Sequence, residues 1–228
     1  LIERDREHRT ALAVILMGMS CDRTILVYRG ASENLRPNDI PWDRIRSPWL
    51  YVSSLGRSES MLRRVFRHAR EQQCSVMWNP GSHELALGRS KLSSFLKQST
   101  ILVLNEEEAR KLTGKLTASR ESLLDALDVA SPGMNVMTGG ELGAWVSDHG
   151  KRFHAHGLSV KVVNTTGAGD AFSGGFLAGY IKTHNTEVAA RVGILNSASV
   201  VQISGAKAGL LSKFPSQQQL RKVNITKV

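Results

Sequence analysis

The sequence is poor in the features that mark secreted, membrane-spanning and disulfide-stapled proteins. It has two cysteines, Cys21 and Cys74, in 228 residues, too few for a disulfide framework or a four-thiolate zinc site. The longest apolar run, ALAVILMGM at 11–19, is far shorter than the roughly 20 residues of a transmembrane helix. The charged start LIERDREHR is unlike a signal peptide. These absences predict a soluble, cytoplasmic protein with reduced cysteines and no membrane partner.

Acidic residues are scarce relative to basic ones. Lysine and arginine number 30 against 20 aspartates and glutamates, which gives a formal net charge of +10. Such a charge attracts nucleic acid, anionic lipid or phosphorylated small molecules without choosing among them. The basic residues are dispersed, as in RRVFRHAR at 63–70, and no zinc-finger or RNP-type signature accompanies them. Specific nucleic-acid binding is therefore the less favoured interpretation of the charge.

Short apolar, β-branched segments recur along the chain between turn residues. They predict strands that begin near residues 11, 23, 49, 75, 100, 135, 143 and 158. Helical patterns begin near 59, 106, 119, 170 and 186. The alternation of strand and helix from Trp49 onward predicts an α/β fold whose mainly parallel sheet is covered by helices on both faces. The first two strands, joined by the polar SCD, predict a hairpin in a small separate β element.

The stretch NTTGAGDAFSGG at 164–175 carries the strongest chemical signal. A predicted strand, VKVV, runs into the turn and AFSGGFLAGYI continues as a helix, so the turn lies where helix N-termini bind anions. Gly167 and Gly169 allow the backbone angles of an anion-binding nest, and Ala168 keeps it bare. A resident phosphate would be repelled by Asp170, whereas a phosphoryl group in transfer needs both an anion hole and a base. The stretch therefore predicts a phosphoryl-transfer site.

NTTGAGDAFSGGF resembles the C-terminal signature of the ribokinase-like (PfkB) carbohydrate kinases, DTxGAGDxF followed by a small-residue helix. The resemblance implies a three-layer α/β/α fold, with residues 1–35 as the remnant of a lid and 36–228 as the nucleotide-binding and catalytic domain. It implies Asp170 as the catalytic base and Gly167, Ala168 and Gly169 as the anion hole. It also implies an ATP-dependent, magnesium-requiring kinase that phosphorylates a hydroxyl of a sugar or nucleoside, and it is compatible with a homodimer.

Other segments resemble the family in the same order along the chain. ILVLNEEEARKLTG resembles the NxxE segment that organises magnesium and phosphates, and MTGGELGAWV resembles the TxGxxG turn that receives the nucleotide. DRTILVYRGAS resembles the segment near the sugar, MWNPGS the NP strand end, and NSASVVQISGAKAG the helix and loop beside the adenine and cation sites. The residues implied to hold magnesium are Asn105 and Glu108, and those implied to hold the nucleotide are Asn105, Thr138, Gly140, Gly143 and Asn196.

Each of these segments also has a purely structural explanation. The acidic run at 106–108 favours a helix N-terminus, and TGG is compatible with an ordinary turn. Asn196 lies in an otherwise small and apolar helix, where a backbone group is as suitable a partner as adenine.

Two departures from the family pattern qualify the resemblance. Asn164 stands where the family has an aspartate that in many members supports a monovalent cation, so a requirement for potassium is left open. The family's first strand, its substrate-binding aspartate and its GG segment do not precede HRTALAVILM, and we hypothesise that the chain is a fragment of a longer kinase. A non-catalytic nucleotide-binding remnant is therefore the main alternative function, ahead of a basic nucleic-acid-binding protein.

Overall fold

The computed structural model describes residues 5–17, 23–56 and 58–228. Its first element is a two-stranded antiparallel sheet of β1 (Leu12–Met17) and β2 (Arg23–Tyr28), which confirms the predicted pair. The connecting residues 18–22, with Cys21 among them, lie outside the described residues. Three short 3-10 helices, Gly30–Glu33, Pro37–Asp39 and Trp42–Arg44, lead from this pair to the main sheet.

A seven-stranded sheet forms the centre of the molecule, and its strands are neighbours in chain order. They are β3 (Trp49–Val52), β4 (Ser75–Trp78), β5 (Ile101–Asn105), β6 (Met134–Thr138), β7 (Gly143–Asp148), β8 (Lys151–His156) and β9 (Ile225–Lys227). Strands β3 to β6 pair in parallel, and β6 to β9 pair antiparallel. The predicted parallel sheet is thus extended by an antiparallel part at one side.

Helices cover both faces of this sheet, which confirms the three-layer α/β/α fold. They are α1 (Glu59–Glu71), α2 (Ser82–Ala86), α3 (Arg89–Leu96), α4 (Glu106–Thr113), α5 (Arg120–Ala130), α6 (Ala168–Thr183), α7 (Thr186–Val200) and α8 (Gln217–Leu220). Strand β5 shows how the layers form, since Leu102 and Leu104 pack with α1, α3, α4 and α5, while Ile101 and Val103 pack with α6 and α7. Alternate side chains of a buried strand point to opposite faces.

The small residues predicted in α6 and α7 allow these helices to approach closely. A Cβ on Gly179 of α6 would lie 2.8 Å from the Cα of Ala189 in α7, so only glycine fits there. Among the described residues, none of the helices combines the length and the apolar character needed to span a bilayer.

The predicted strand at 158–164 is wrong. These residues form no strand, and Lys161, Val162 and Val163 are exposed. Their backbone is held by bonds from Val163 N and Asn164 N to the carbonyl of Val201, at 2.8 and 3.1 Å. Strand β8 ends at His156, before this segment. The motif at 164–175 therefore follows an irregular segment and not a strand.

Candidate active site

The carboxyl ends of β5 and β6 meet the N-terminus of α6 at a pocket of about 220 Å³. Asn105 and Thr138 are partners in the parallel register of these two strands, so their side chains are adjacent at the same edge of the sheet. The residues around the pocket are Asn79, Val103, Leu104, Asn105, Glu108, Thr138, Thr165, Gly167, Ala168, Gly169, Asp170 and Ser173. The pocket thus joins the predicted base, anion hole and magnesium residues with one of the predicted nucleotide residues.

Helix α6 begins inside the predicted motif. Gly167 is its N-cap with φ of +84°, and a Cβ there would lie 2.4 Å from the carbonyl oxygen of Ala206. Glycine is therefore required at this position for both backbone angle and space. Ala168, Gly169 and Asp170 form the first helical turn and are not a separate loop before the helix.

The first turn of α6 leaves backbone donors free. Ala168 N donates to Thr165 O at 3.2 Å, whereas in the described part of the chain the N–H groups of Gly169 and Asp170 have no acceptor. Free N–H groups at the positive end of a 16-residue helix attract anions. The anion hole predicted from the sequence requires such free donors, and its role stays a prediction.

The Asp170 side chain is exposed at the pocket. No hydrogen bond or ion pair to another described residue occupies its carboxylate. A carboxylate so placed can accept the proton of an alcohol. It lies beside the free N–H groups at the start of α6.

Asn105 and Glu108 form a capping box at the start of α4. The Asn105 Oδ1 atom accepts from Glu108 N, and the Glu108 Oε2 atom accepts from Asn105 N, both at 2.8 Å. Burial, and to a lesser degree the neighbouring Glu107, raise the pKa of the Glu108 carboxyl, against the bond from Asn105 N. Glu108 can therefore cap the helix and bind a cation at the same time. Its Oε2 atom is used in the capping box, and its second carboxylate oxygen is available to a metal ion.

In the part of the chain that the structure describes, the site offers magnesium one carboxylate ligand and no cluster of protein ligands. Within the described ranges, no group of three or more histidine, cysteine, aspartate or glutamate side chains could hold a metal ion. Magnesium is commonly bound through one or two carboxylates with phosphates and water as the remaining ligands. Glu108 offers such a carboxylate, half-buried and facing the pocket.

Sequence reasoning missed Ser173, which lines the pocket, and Tyr51 of β3, which lies near it. Burial is the largest cause that raises the pKa of the Tyr51 phenol; the interaction with Ser173 lowers this pKa, and the charges of Asp170 and Glu108 raise it further. Ser173 is 2% exposed and lines the pocket. The only signal in the sequence was the spacing of Ser173, one helical turn after Asp170.

The other predicted residues lie around the pocket and not in it. Gly140 and Gly143 belong to the turn that follows Thr138, with φ of +60° and +99°. Asn196 is buried; its Nδ2 atom donates to Ala171 O at 2.7 Å and its Oδ1 atom accepts from Leu211 N at 2.9 Å. Backbone groups thus occupy the Asn196 amide, and its contact with a nucleotide stays a prediction.

The head of the motif is held by Asn164. Its Oδ1 atom accepts from Thr166 N at 2.8 Å, so a neutral amide orders the turn where the family has a carboxylate. The Thr166 hydroxyl oxygen is buried and has no hydrogen-bond partner among the described residues.

Comparisons with known proteins identify the family and the fold of the chain. The family model of the pfkB family carbohydrate kinases matches residues 1–213. An uncharacterised sugar kinase of Archaeoglobus fulgidus is 29% identical over 213 residues, which cover 90% of this chain and 81% of that protein.

Two solved structures share the fold. Adenosine kinase from Sinorhizobium meliloti matches with a TM-score of 0.78 and 25% identity over 87% of this chain and 63% of that one. Ribokinase of Arabidopsis thaliana, complexed with ribose and ATP, matches with a TM-score of 0.76 and 21% identity over 95% of this chain and 69% of that one. The chain thus spans less than two thirds of the adenosine kinase. It belongs to the pfkB family of carbohydrate kinases.

Proposed function

We propose that the protein transfers the γ-phosphoryl group of ATP to a hydroxyl of a sugar or nucleoside. The observation that carries the proposal is the juxtaposition at the start of α6 of an unengaged carboxylate, Asp170, with the free N–H groups of Gly169 and Asp170. In a site that only bound phosphate, a carboxylate at this position would repel the ligand. The relatives named as sugar kinase, adenosine kinase and ribokinase support this substrate class.

In the proposed mechanism, Asp170 accepts the proton of the acceptor hydroxyl as its oxygen attacks the γ-phosphorus. The first turn of α6 stabilises the negative charge on the phosphoryl oxygens during transfer. Glu108, oriented by Asn105, would hold magnesium, which supplies charge neutralisation to the phosphates when bound. Thr138 lies beside Asn105 and would contact the phosphate chain from the neighbouring strand.

We assign the nucleotide base to a second cavity of about 320 Å³. It lies between α6, α7 and residues 210–215, and Gly174 and Gly175 give it a bare helix surface, which suits a flat ring. Asn196, which also lines this cavity, anchors the 210–215 segment through Leu211. Its role in this proposal is to shape the cavity.

We assign the acceptor to the region beneath the two-stranded sheet. A cavity of about 610 Å³ lies there between β2, the first 3-10 helix and α2, and polar groups of Arg29, Glu33, Asn34 and His83 face it. Such a lining suits a polyhydroxylated molecule, which both sugars and nucleosides are. Glu84, which follows His83 in α2, accepts from Ser54 Oγ at 2.9 Å and Leu55 N at 2.6 Å and so ties α2 to the segment after β3.

We also propose that a second copy of the chain covers the two-stranded sheet. On one face, Leu12, Val14, Leu16, Leu26 and Tyr28 are each at least 45% exposed, and the register places them side by side. A two-stranded sheet is marginal alone, and a contiguous apolar face in water is characteristic of an interface. The cytoplasmic location predicted from the sequence stays a prediction.

The Asp170→Asn substitution tests the reaction. The amide keeps the shape of the side chain but cannot accept the proton, so turnover should fall about 10²- to 10⁴-fold while the KM for ATP changes little. Asp43→Asn, on the exposed 3-10 helix Trp42–Arg44, is the matched control and should keep full activity.

Near-normal turnover of the Asp170→Asn variant would refute the role of Asp170. The alternatives predict other results for the wild-type protein. A non-catalytic remnant would bind ATP and phosphorylate none of a panel of sugars and nucleosides. A nucleic-acid binder would bind generic DNA with a steep salt dependence and without competition from ATP.

A further inference from the structure

A column of stacked side chains stands behind the turn between β6 and β7. The Arg120 guanidinium lies 4.5 Å from the ring centroid of Trp145. The rings of Trp145 and His154 are stacked with centroids 4.1 Å apart and planes at 3°, and His156 follows with its centroid 4.1 Å from that of His154. Trp145 belongs to the core cluster that packs against α4 and α5, so the column occupies that face of the sheet.

One member of the column bonds directly to the turn. The Nε2 atom of His154 lies 2.7 Å from the carbonyl oxygen of Leu142. A carbonyl oxygen only accepts, so Nε2 carries the hydrogen. The same carbonyl accepts a longer bond from Gly157 N at 3.2 Å. Leu142 ends the 3-10 helix Gly140–Leu142, which lies between Thr138 and Gly143, and the imidazole is therefore the side-chain anchor of this turn.

Close contacts at two glycines restrict the conformation of the turn further. Gly143 has φ of +99°, and a Cβ there would lie 2.1 Å from Ala155 O. A Cβ on Gly139 would lie 2.6 Å from the Trp145 ring. The turn is therefore packed against the end of β8 on one side and against the indole on the other. A change in the position of the His154 ring would move the surfaces on which the turn rests.

The column also reaches the first turn of α4. The Nε atom of Arg120 lies 2.9 Å from Glu106 Oε2, and Glu106 follows Asn105 at the start of α4. Arg120 thus ties α4 to the Trp145 side of the turn. Burial lowers the pKa of His154, the bond to Leu142 opposes this, and the charges of His156 and Arg120 lower it further. His154 is accordingly neutral near pH 7, as a ring stacked beneath Arg120 and Trp145 should be.

We propose that His154 is a positioning residue for nucleotide binding, which holds the Thr138–Gly143 turn through the carbonyl of Leu142 in the conformation that meets the phosphates. The proposal rests on the proposed function, in which Thr138, at the start of this turn, contacts the phosphate chain of ATP. His154 itself touches no nucleotide in this account. It acts through the turn, and its loss therefore weakens nucleotide binding without removing a group from the transfer step.

Two substitutions distinguish the contribution of the His154 ring from that of its hydrogen-bond donor. His154→Phe keeps an aromatic ring on Trp145 but cannot donate to Leu142, and we expect the KM for ATP to rise about threefold to tenfold. His154→Gln keeps a donor of similar reach and should return the KM to within about twofold of wild type. The turnover number and the KM for the acceptor should stay unchanged in both variants. A fall in turnover with an unchanged KM for ATP would overturn the proposal.

His156→Phe is the matched control. It keeps the ring beside His154 but loses the bond from His156 Nε2 to Thr226 Oγ1, 2.9 Å long, and it should leave the KM for ATP unchanged. A merely structural role for His154 would lower the urea midpoint of His154→Phe without the selective loss of ATP affinity, and that result refutes the proposal.

Calorimetric titration with ADP alone keeps the test independent of catalysis. The dissociation constant for ADP should rise with His154→Phe and recover with His154→Gln. If the wild-type protein transfers no phosphate, the proposed function fails, while ADP titration still decides on His154. If Asp170→Asn behaves as expected but His154→Phe binds ADP like wild type, only the positioning role is refuted.

Discussion

At the scale of single residues, Tyr51 and Ser173 bring the edge strand of the sheet close to α6, the helix that carries Asp170. Tyr51 shares its face of β3 with Trp49, whose ring meets Tyr180 of α6 edge-on with centroids 5.8 Å apart. The register with Met77, which is buried under α6, places the phenol on the same side. The Tyr51 phenol therefore lies near buried Ser173, one helical turn from Asp170.

We predict that the hydroxyls of Tyr51 and Ser173 stabilise each other, so that Tyr51→Phe lowers the free energy of unfolding by about 1 kcal/mol. Ser173→Ala should cost a similar amount. The double variant should cost less than the sum of the two, because one interaction joins them. Urea unfolding of the four proteins measures this coupling. Strictly additive losses would show that the two hydroxyls do not interact.

The sequence predicts the part of the candidate site that one continuous motif contains, and misses the part that the fold assembles. Asp170 and the residues before it are neighbours in the chain, so their spacing alone predicts an anion hole beside a base. Tyr51 and Ser173 are separated by about half the chain. Neither residue type is diagnostic by itself, and the contact depends on the register of β3, which no local pattern contains.

At the scale of elements, two glycines at the start of α6 differ in their importance for the fold. The fold requires Gly167, whereas it does not require Gly169. Gly167 has φ of +84° and lies against Ala206. Gly169 is helical, and a Cβ added there would meet no atom within 4 Å. A methyl group at Gly169 therefore costs the fold nothing, yet it enters the pocket that Gly169 lines.

We predict that Gly169→Ala raises the free energy of unfolding by about 0.5 kcal/mol, because alanine is the better helix former. The same variant should lose about tenfold or more in kcat/KM for ATP, a cost of about 1.4 kcal/mol, because the methyl group obstructs the phosphoryl oxygens. Urea unfolding and initial rates on one preparation measure both quantities. A variant both stabilised and fully active would contradict an anion hole at this turn.

Gly167→Ala is the contrasting substitution. It forces alanine into a left-handed conformation and against a backbone carbonyl, and should cost about 2 kcal/mol or more of stability. If Gly167→Ala were as stable as Gly169→Ala, the conformation described for the N-cap of α6 would be wrong.

The wrong prediction of a strand at residues 158–164 shows which elements are difficult to recognise from sequence. VKVV has the β-branched composition of a strand, yet it pairs with no strand and its valines are exposed. Strand β8, KRFHAH, has a polar composition, and only Phe153 and Ala155 of it are buried, while Arg152, His154 and His156 lie on the opposite face. The amphipathic helices α1, α4 and α5 were predictable because each buries a single stripe. A half-exposed antiparallel strand carries a weaker pattern than an exposed hydrophobic loop.

At the scale of the whole molecule, the two sheets differ in how they are covered. The seven-stranded sheet has helices on both faces, whereas the two-stranded sheet exposes apolar side chains on both. Val27 and Ile25, on the face opposite Val14, are 54% and 45% exposed. The sequence predicted the strands from their apolar composition, but composition does not reveal whether the cover comes from the same chain or another.

We predict that the protein is dimeric at micromolar concentration and that Val14→Lys shifts it to the monomer. A charge in the middle of the apolar face would have to be buried unpaired in the interface, which is costly. Val129→Lys is the control, because Val129 is 76% exposed on α5 and a charge there stays in water. Sedimentation velocity over a concentration series measures the association. A wild-type protein that sediments as a monomer throughout, or a Val14→Lys variant that remains dimeric, would show that a second copy does not cover this face.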